Sequence, residues 1–210
     1  MRRRRGSKVI SIATSPTHVF ICLPFFFLHR FVTCLTVVDH NTVACGDKFG
    51  NITVLRLPEN ANDDLTVVGT GNIWDQGQPI PNKLEAAAKF FLGEIPTFIQ
   101  KTAMKFKGRE VLVVGTVYGS IYAFVPARSK EEAHFFQLLE MFMRQEHPNI
   151  THRDQLSFRS FYQPVKNTVD GMLCDRFVKL SLTKQNEFAE SVDRSVVEVM
   201  KKMEDALDFL

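Results

Sequence analysis

The stretch TVACGDKFGNITVLRLP, Thr42–Pro58, is where the fold class begins to be decided. Two runs of β-branched and apolar residues flank a short polar segment that ends at Gly50. Glycines in such a place occur both in phosphate-binding loops and in hairpin turns. A phosphate-binding loop needs GxxxxGK[ST] or GxGxxG in front of a helix, whereas here the alternating run NITVLRLP follows. The pattern therefore predicts a β-hairpin with Gly50 as the turn residue and Ile52, Val54 and Leu57 as packing positions.

Strand-like runs continue on both sides of this hairpin. The predicted strands are 31–39, 42–47, 51–58, 86–94, 96–104, 109–117 and 120–127. Between the third and the fourth, residues 59–85 are rich in Gly, Pro and Asn, and we expect little regular structure there beyond a small hairpin near Val67 and Trp74. Repeated short antiparallel strands are typical of a sandwich, a barrel or propeller blades. ACGDKFGNITVLRLP and VVGTVYGSIYAFVPA resemble each other, which favours two blade-like hairpins.

The hydrophobic period becomes helical after residue 128. Ser129 is placed to cap a first helix that runs to Glu146, where His147 and Pro148 end it. Its predicted apolar face is broad: it holds Ala133, Phe136, Leu139 and Phe142, with Phe135, Leu138 and Met143 adjacent.

Three more helices are predicted towards the end of the chain. Asp170 is placed to cap the segment GMLCDRFVKLSL, and Thr183 begins the next helix. Ser195 and Glu198 have the spacing of a capping box for the last helix. The predicted inner face of that helix holds Val196, Met200, Met203 and Leu207. Together these four segments predict a compact helical domain with a packed apolar core.

Charge and cysteine content narrow the class of protein. The net charge of +3 depends on Arg2, Arg3, Arg4, Arg5 and Lys8, because the other 21 basic residues are outnumbered by 23 acidic ones. A domain that reads DNA or RNA directly should carry clustered Lys and Arg on its folded part, and this sequence does not. The four cysteines are spaced unlike a metal finger, so we expect buried free thiols in a reducing compartment.

Residues 1–29 differ from the rest of the chain. Their basic start and the apolar run VFICLPFFFL leave open a signal or anchor and a nuclear-localisation arm, but the run is about half the roughly 20 residues of a membrane-spanning helix. A Phe-Leu-Pro run that ends in His29 and Arg30 is also what a translated pyrimidine-rich intron end would look like. We interpret 1–29 as a disordered tail or an artefact of the gene model.

Motifs for catalysis or metal binding are weak. His147, His152 and Asp154 lack a fourth ligand at a recognisable spacing, and Ser157 and Ser160 lack the GxSxG elbow of a hydrolase. The sequence therefore predicts no enzyme, no cofactor and no metal site.

Short motifs in a fixed order carry a family resemblance. They are DKFGN at 47–51, RLP at 56–58, GN at 71–72, WDQG at 74–77, GE at 93–94, EHP at 146–148, RDQLSFRSFYQPVKN at 153–167 and DGMLCDRF at 170–177. They resemble a superfamily of propeller scaffolds used in splicing, DNA-damage binding and polyadenylation, and LSFRSFYQPVKN is similar to the splicing factor 3b subunit 3 branch. The signature positions are Asp47, Phe49, Gly50, Asn51, Arg153, Asp154, Phe158, Arg159, Tyr162, Asp170 and Gly171.

The resemblance covers about 30–210 and implies an α+β chain. Residues 30–127 would be the last strands of an antiparallel β-propeller, incomplete in this chain, and 128–210 a C-terminal α-helical domain. It fails over 1–29. Members of this branch have three seven-bladed propellers and a helical C-terminal domain, so this sequence would supply only the end of such a subunit.

The resemblance also implies a function and partners. The chain would be a non-catalytic nuclear scaffold of the U2 snRNP in pre-mRNA splicing, supporting branch-site recognition and spliceosome assembly. Its partners would be the HEAT-repeat subunit 1, the PHD-finger-like subunit and the small subunit 5, with pre-mRNA and U2 snRNA reached only through the complex and no membrane contact. Two alternatives stay open: a damage-binding-type adaptor of a cullin ubiquitin ligase, and a secreted or membrane-anchored β-protein.

Overall fold

A computed structural model describes residues 31–57, 84–103, 108–146 and 151–207, together with two short strands near the N-terminus. These strands, β1 (Ile10–Ser11) and β2 (Ile21–Cys22), pair in antiparallel fashion. The hairpin expected near Val67 and Trp74, and most of 1–29, lie outside the described residues.

Among the described residues between 32 and 124, seven strands form two antiparallel sheets. They are β3 (Val32–Asp39), β4 (Thr42–Asp47), β5 (Asn51–Arg56), β6 (Glu85–Phe91), β7 (Pro96–Ala103), β8 (Glu110–Thr116) and β9 (Ile121–Phe124). The first sheet has the order β3-β4-β5-β6 and the second β7-β8-β9, so that within each sheet a strand pairs with its sequence neighbours. The predicted strands and the hairpin around Gly50 are confirmed, because β-branched and apolar residues alternate through these runs and glycines supply the turns.

The two sheets pack face to face, as successive propeller blades do. Ala44, Ile52 and Phe90 of the first sheet meet Ile99 and Val114 of the second in one buried cluster. Gly46 allows this approach, because a Cβ there would lie 2.5 Å from the ring of Pro96. The sheets therefore share a core that neither could bury by itself.

Helices follow the sheets, and the α+β class is confirmed. They are α1 (Lys130–Glu146), α2 (Gln155–Phe158), α3 (Gly171–Cys174), a 3-10 helix (Asp175–Lys179), α4 (Leu182–Ser191) and α5 (Val196–Leu207). The Ser129 hydroxyl accepts from the Glu132 N–H at 3.1 Å, as expected of the cap. Ser195 and Glu198 form the predicted capping box with two reciprocal hydrogen bonds of 3.3 Å.

The predicted broad apolar face of α1 is buried as expected, whereas that of α5 is only partly so. The centre of the α1 face is Phe135, Leu139 and Met143, while Phe136 and Phe142 lie at its margin. In α5, Val199 is fully buried and Leu207 is 52% exposed, so the predicted face of Val196, Met200, Met203 and Leu207 is wrong at its end. Phe188 of α4 packs against the α1 face, with its ring centroid 6.2 Å from that of Phe135 and 5.2 Å from that of Phe142.

The helix predicted over GMLCDRFVKLSL is also wrong. Asp170 does cap its start, accepting from the Met172 N–H at 3.1 Å. After Cys174, however, the backbone tightens into the 3-10 helix and then stops. The buried Gln185 side chain donates to the carbonyls of Phe177 and Leu180, both at 3.2 Å. These carbonyls would otherwise have served a continuing helix, and α4 accordingly begins at Leu182 rather than Thr183.

Cys34 and Cys174 carry free thiols, while the Cys45 thiol donates to the Thr53 carbonyl oxygen at 3.5 Å. Cys174 is buried, and Cys34 and Cys45 are half-buried. Burial, helped by the carboxylates of Glu140 and Asp170, raises the pKa of the Cys174 thiol and keeps it protonated.

Gly50 and Gly119 offer a matched test of the hairpin geometry. Both have positive φ, 93° and 86°, but a Cβ at Gly50 would lie 3.0 Å from the Glu94 carbonyl oxygen, whereas nothing lies within 4 Å of one at Gly119. We expect Gly50→Ala to lower the free energy of unfolding by about 2–4 kcal/mol and Gly119→Ala by about 1 kcal/mol. Urea denaturation of both variants measures this difference; equal losses would contradict the steric argument.

Candidate functional site

The turn between β4 and β5 is built around a buried carboxylate. Asp47 Oδ1 accepts from the backbone N–H groups of Phe49 and Asn51, both at 2.9 Å, and Oδ2 accepts from the Asn51 side-chain amide at 2.9 Å. The Leu92 N–H donates to the Gly50 carbonyl at 2.8 Å, which fastens the turn to the end of β6. Four of the signature positions, Asp47, Phe49, Gly50 and Asn51, therefore form one rigid turn.

The fixed turn presents the ring of Phe49 to the segment that follows α2. The Phe49 centroid lies 6.0 Å from that of Phe161 and 6.4 Å from that of Tyr162. On its other side Phe161 stacks on Phe91 of β6 at 5.2 Å. We call Phe49, Phe91, Phe161 and Tyr162 the aromatic cluster. It brings together two signature segments that are more than 100 residues apart in the chain.

Segment 159–167 also lies along the outer edge of β6. Lys89 and Lys166 exchange backbone hydrogen bonds of 2.9 and 3.1 Å, and the Phe91 N–H donates to the Arg159 carbonyl at 3.1 Å. The Asn167 amide reaches the Ala87 carbonyl at 2.9 Å. An edge strand with open backbone groups is thereby covered by the helical part of the chain.

A buried ion pair fixes the same segment from the helical side. Arg159 Nε donates to Asp170 Oδ2 at 2.7 Å, and the Arg159 guanidinium lies 5.1 Å from the Phe90 ring centroid. Asp170 is 2% exposed and also accepts from Gln155 Nε2 at 3.2 Å. This geometry gives a short, directional contact that links β6, the segment and α3.

Glu140 of α1 completes this polar network. Its Oε1 accepts from the Asp170 N–H at 3.1 Å, and the side chain is buried. Burial raises the pKa of the Glu140 carboxyl, while the Asp170 N–H and the charge of Arg144 oppose the rise.

The other signature positions have local roles or stand apart. Asp154 caps α2 through the Leu156 N–H at 3.3 Å, and Arg153 lies exposed just before it. Phe158 is 42% exposed. Gly171 begins α3 with open space where a Cβ would be. Tyr162 is 76% exposed and has a φ of 60°, a left-handed conformation that is rare for an aromatic residue.

Sequence reasoning missed Phe91, Phe161, Lys89 and Glu140 as members of this junction. The motif run contains Phe161, but no sequence signal pairs it with Phe91 or Lys166 with Lys89. Glu140 could have been noticed as a carboxylate one residue from Leu139 on an apolar helix face.

A cleft of about 780 Å³ lies between the two sheets and helices α1 and α5. Its walls are mostly apolar, and ion pairs stand among them: Lys101 with Glu110 at 2.6 Å and Arg109 with Glu132 at 2.9 Å. Burial alone would raise the pKa of Glu132, but hydrogen bonds from Arg109 and the Arg128 N–H outweigh it and lower that pKa.

Metal-binding groups and membrane-spanning helices are both absent from the described part of the chain. In it no group of three or more His, Cys, Asp and Glu side chains is arranged to hold a metal ion. His147 lies outside the described residues, while His152 and Asp154 sit in the loop before α2. No helix among the described residues is long and apolar enough to span a bilayer.

The Arg159–Asp170 pair can be tested by removing one partner. Arg159→Met would leave the Asp170 carboxylate buried without its guanidinium, so we expect the free energy of unfolding to fall by about 3–5 kcal/mol. Arg176→Met, at an exposed position of the 3-10 helix, is the control and should change it by about 0.5 kcal/mol or less. Chemical denaturation measures both; a loss of similar size in the two variants would contradict the role of the pair.

Glu140 gives a prediction on pH dependence. Because the folded-state pKa lies above the ordinary value of 4.5, the folded chain holds this proton more tightly than the unfolded chain. Its contribution to stability is full below pH 4.5 and is lost as the pH rises through the folded-state pKa. Glu140→Gln keeps an acceptor for the Asp170 N–H, so the decline of unfolding free energy above pH 4.5 should become shallower.

The control for this experiment is Glu204→Gln, at an exposed position of α5. Its denaturation midpoints between pH 4 and 8 should follow those of the parent chain. An unchanged pH slope in Glu140→Gln would refute the assignment of that slope to Glu140.

Comparisons with known proteins give the family. The family described as the CPSF A subunit region matches residues 20–179. "Splicing factor 3B subunit 3" of Drosophila melanogaster is 38% identical over 209 residues, which is 98% of this chain and 16% of the fly protein. The protein of the same name in Danio rerio is 44% identical over 180 residues, 84% of this chain and 15% of the fish protein. "Spliceosome-associated protein 130 A" of Arabidopsis thaliana is 39% identical over 189 residues, 88% of this chain and 15% of the plant protein.

The matches cover most of this chain but only a small part of each relative. The chain spans 15–16% of the length of these three relatives. The family match starts at residue 20 and the fly match covers almost the whole chain, so similarity is not confined to residues 30–210. The match of the family over most of the chain, together with relatives at this level of identity, establishes that the chain belongs to the CPSF A subunit region family, as a splicing factor 3B subunit 3-like member.

Proposed function

We propose that the chain acts as a non-catalytic protein-interaction scaffold in pre-mRNA splicing. The observation that carries the proposal is the similarity, 38–44% identical, to proteins named as splicing factor 3B subunit 3 over 84–98% of this chain. It is supported by the place of the signature residues, which build a rigid junction between sheets and helices instead of a reactive pocket.

The chemistry of the junction suits a scaffold. Asp47, Asp170 and Glu140 are buried carboxylates, but each accepts hydrogen bonds from the protein's own backbone N–H groups. Such carboxylates stabilise turns and helix starts and are not placed for acid–base work on a substrate. The chain's contribution to splicing would therefore be the shape and rigidity of the surface that the junction carries.

Partners and location follow as finer parts of the proposal. The chain would work in the nucleus, within the U2 snRNP during branch-site recognition, together with the HEAT-repeat subunit 1, the PHD-finger-like subunit and the small subunit 5. Its contact with pre-mRNA and U2 snRNA would run through these proteins, in keeping with the scattered positive charge. The exposed ring of Tyr162, held in an unfavourable backbone conformation, is the position of the junction best placed to contact a partner.

Affinity purification tests the proposal directly. The tagged 210-residue chain, added to nuclear extract, should recover the three splicing factor 3b subunits. Nuclease treatment should leave that recovery unchanged, because the contacts are between proteins. Tyr162→Ser should reduce recovery, whereas Val197→Ser, 76% exposed on α5, should not. Mass spectrometry of the eluates measures each partner. Recovery of a cullin ubiquitin ligase in their place would favour the damage-binding alternative and refute the splicing role.

A further inference from the structure

The cleft between the two sheets and helices α1 and α5 has the size of a small-molecule site. Its volume is about 780 Å³. Pockets for small ligands have volumes of roughly 300–1,000 Å³. A helix about 10 Å across occupies roughly 420 Å³ per turn, so the cleft could hold fewer than two turns of a partner helix. The volume therefore favours a small molecule over a docked helix.

Apolar side chains from both sheets and both helices form most of the cleft walls. Among them are Val54, Leu112, Phe124, Phe136 and Met203. Phe90 of β6 also lines the cleft and meets Phe124 of β9 edge to face, with a centroid distance of 5.7 Å. Aromatic rings prefer edge-to-face or offset-stacked neighbours, so this pair offers favourable contacts to a further ring. An apolar ring system therefore suits this part of the cleft.

Charged residues along the walls balance each other. The basic ones are Arg56, Lys89, Lys101 and Arg109, and the acidic ones are Asp39, Glu110, Glu132 and Asp175. Two of the pairs are in direct contact, Lys101 with Glu110 and Arg109 with Glu132. A ligand with a net charge would enter these apolar surroundings without a surplus of opposite charge to compensate it. The cleft therefore suits a neutral molecule.

Arg109 is a polar group of the wall with spare hydrogen-bonding capacity. Its side chain is 9% exposed, and Nη2 donates to both carboxylate oxygens of Glu132, at 2.9 and 3.1 Å. Its buried Nε–H has no acceptor among the described residues. Buried donors are nearly always paired in folded proteins. This Nε–H is therefore the atom of the wall to which an acceptor would bind.

An uncharged oxygen is enough to serve as that acceptor. Glu132 already compensates the charge of the guanidinium and also accepts from the Arg128 N–H. A ketone or amide oxygen can accept from the Arg109 Nε–H without adding a charge. A water molecule suits the place less well, because an ordered water needs about two to four polar partners and the walls are mostly apolar.

We propose that the cleft is a binding site for a neutral small molecule with an apolar ring body and one hydrogen-bond acceptor. The acceptor oxygen takes the Arg109 Nε–H, and the ring body lies against Phe90, Phe124 and Phe136. Such a molecule contacts both sheets and α1 at once, so its binding stabilises their packing against each other. This proposal does not rest on the splicing role.

The probe is prodan, a neutral naphthalene dye with one ketone oxygen, titrated into the 210-residue chain. Saturable binding of one dye per chain is expected. The dye emission should shift to shorter wavelength, because the ring lies among apolar side chains. Absence of saturable binding would overturn the proposal, since the cleft would then be closed to a ligand of this kind.

Arg109→Lys tests the hydrogen bond to the ligand. Lysine keeps a positive charge beside Glu132 but has no Nε–H, so prodan affinity should fall about fivefold. An analogue of the dye with CH₂ in place of the ketone should bind the parent chain and this variant equally. Chemical denaturation checks that the variant is folded. Equal prodan affinity in the two chains, or an equal loss with both dyes, would overturn the proposal.

Ala206→Trp tests the location of the dye. Ala206 lies in the α5 wall of the cleft, and an indole there would occupy space that the ring body needs, so prodan affinity should fall at least about tenfold. The control is Val197→Trp, at a 76% exposed position of the same helix, which should bind like the parent chain. Unchanged binding by Ala206→Trp would overturn the proposal. Binding that weakens as the chain concentration rises would also overturn it, because that result would assign the cleft to a second copy.

Discussion

The contact between Arg159 and Asp170 is the constraint on which the arrangement of sheets and helices depends. It lies at the point where segment 159–167 leaves the helices and runs along β6, and the guanidinium also covers the Phe90 ring. Because Asp170 is almost fully buried, its charge requires a partner at short range. The same carboxylate caps α3, so one side chain fixes the start of a helix and the path of the segment before it.

Around this pair, the chain covers the edge of β6, while no strand among the described residues pairs with the outer edge of β9. Reciprocal backbone hydrogen bonds between Lys89 and Lys166 cover the outer edge of β6. The aromatic cluster packs at the end of that edge, where Phe161 stacks on Phe91. At β9 the chain turns directly towards α1, so the equivalent place in the second sheet is not filled by the residues described. Ile52 and Ile121 each follow a turn glycine of positive φ by two residues. Ile52, beside β6, is 3% exposed, whereas Ile121 is 76% exposed, which shows the difference between the covered and the uncovered edge.

Local signals predicted most of the elements and part of the junction. Alternating β-branched residues located the seven strands, and caps such as Ser129 and Ser195 located helix starts, because these preferences depend on residues close in sequence. The short 3-10 helix after Cys174 was not predictable, since Gln185 imposes it from another helix. For the site, the motif positions around Asp47 and Arg159 were identified, but their meeting through Phe91 and Phe161 was not, because no pattern encodes contacts across such separations.

By itself, the sequence determined that the chain is α+β, that Thr42–Pro58 is a hairpin and not a phosphate loop, and which family its motifs resemble. These properties follow from turn chemistry, hydrophobic period and residue identity, which act over a few residues. Only the tertiary structure decided which helix faces are buried, which sheet edge is covered and that Asp47, Arg159 and Asp170 belong to one junction. Those outcomes depend on burial and pairing between distant segments, where the cost of an unpaired charge or an open strand edge is set by what the fold places beside it.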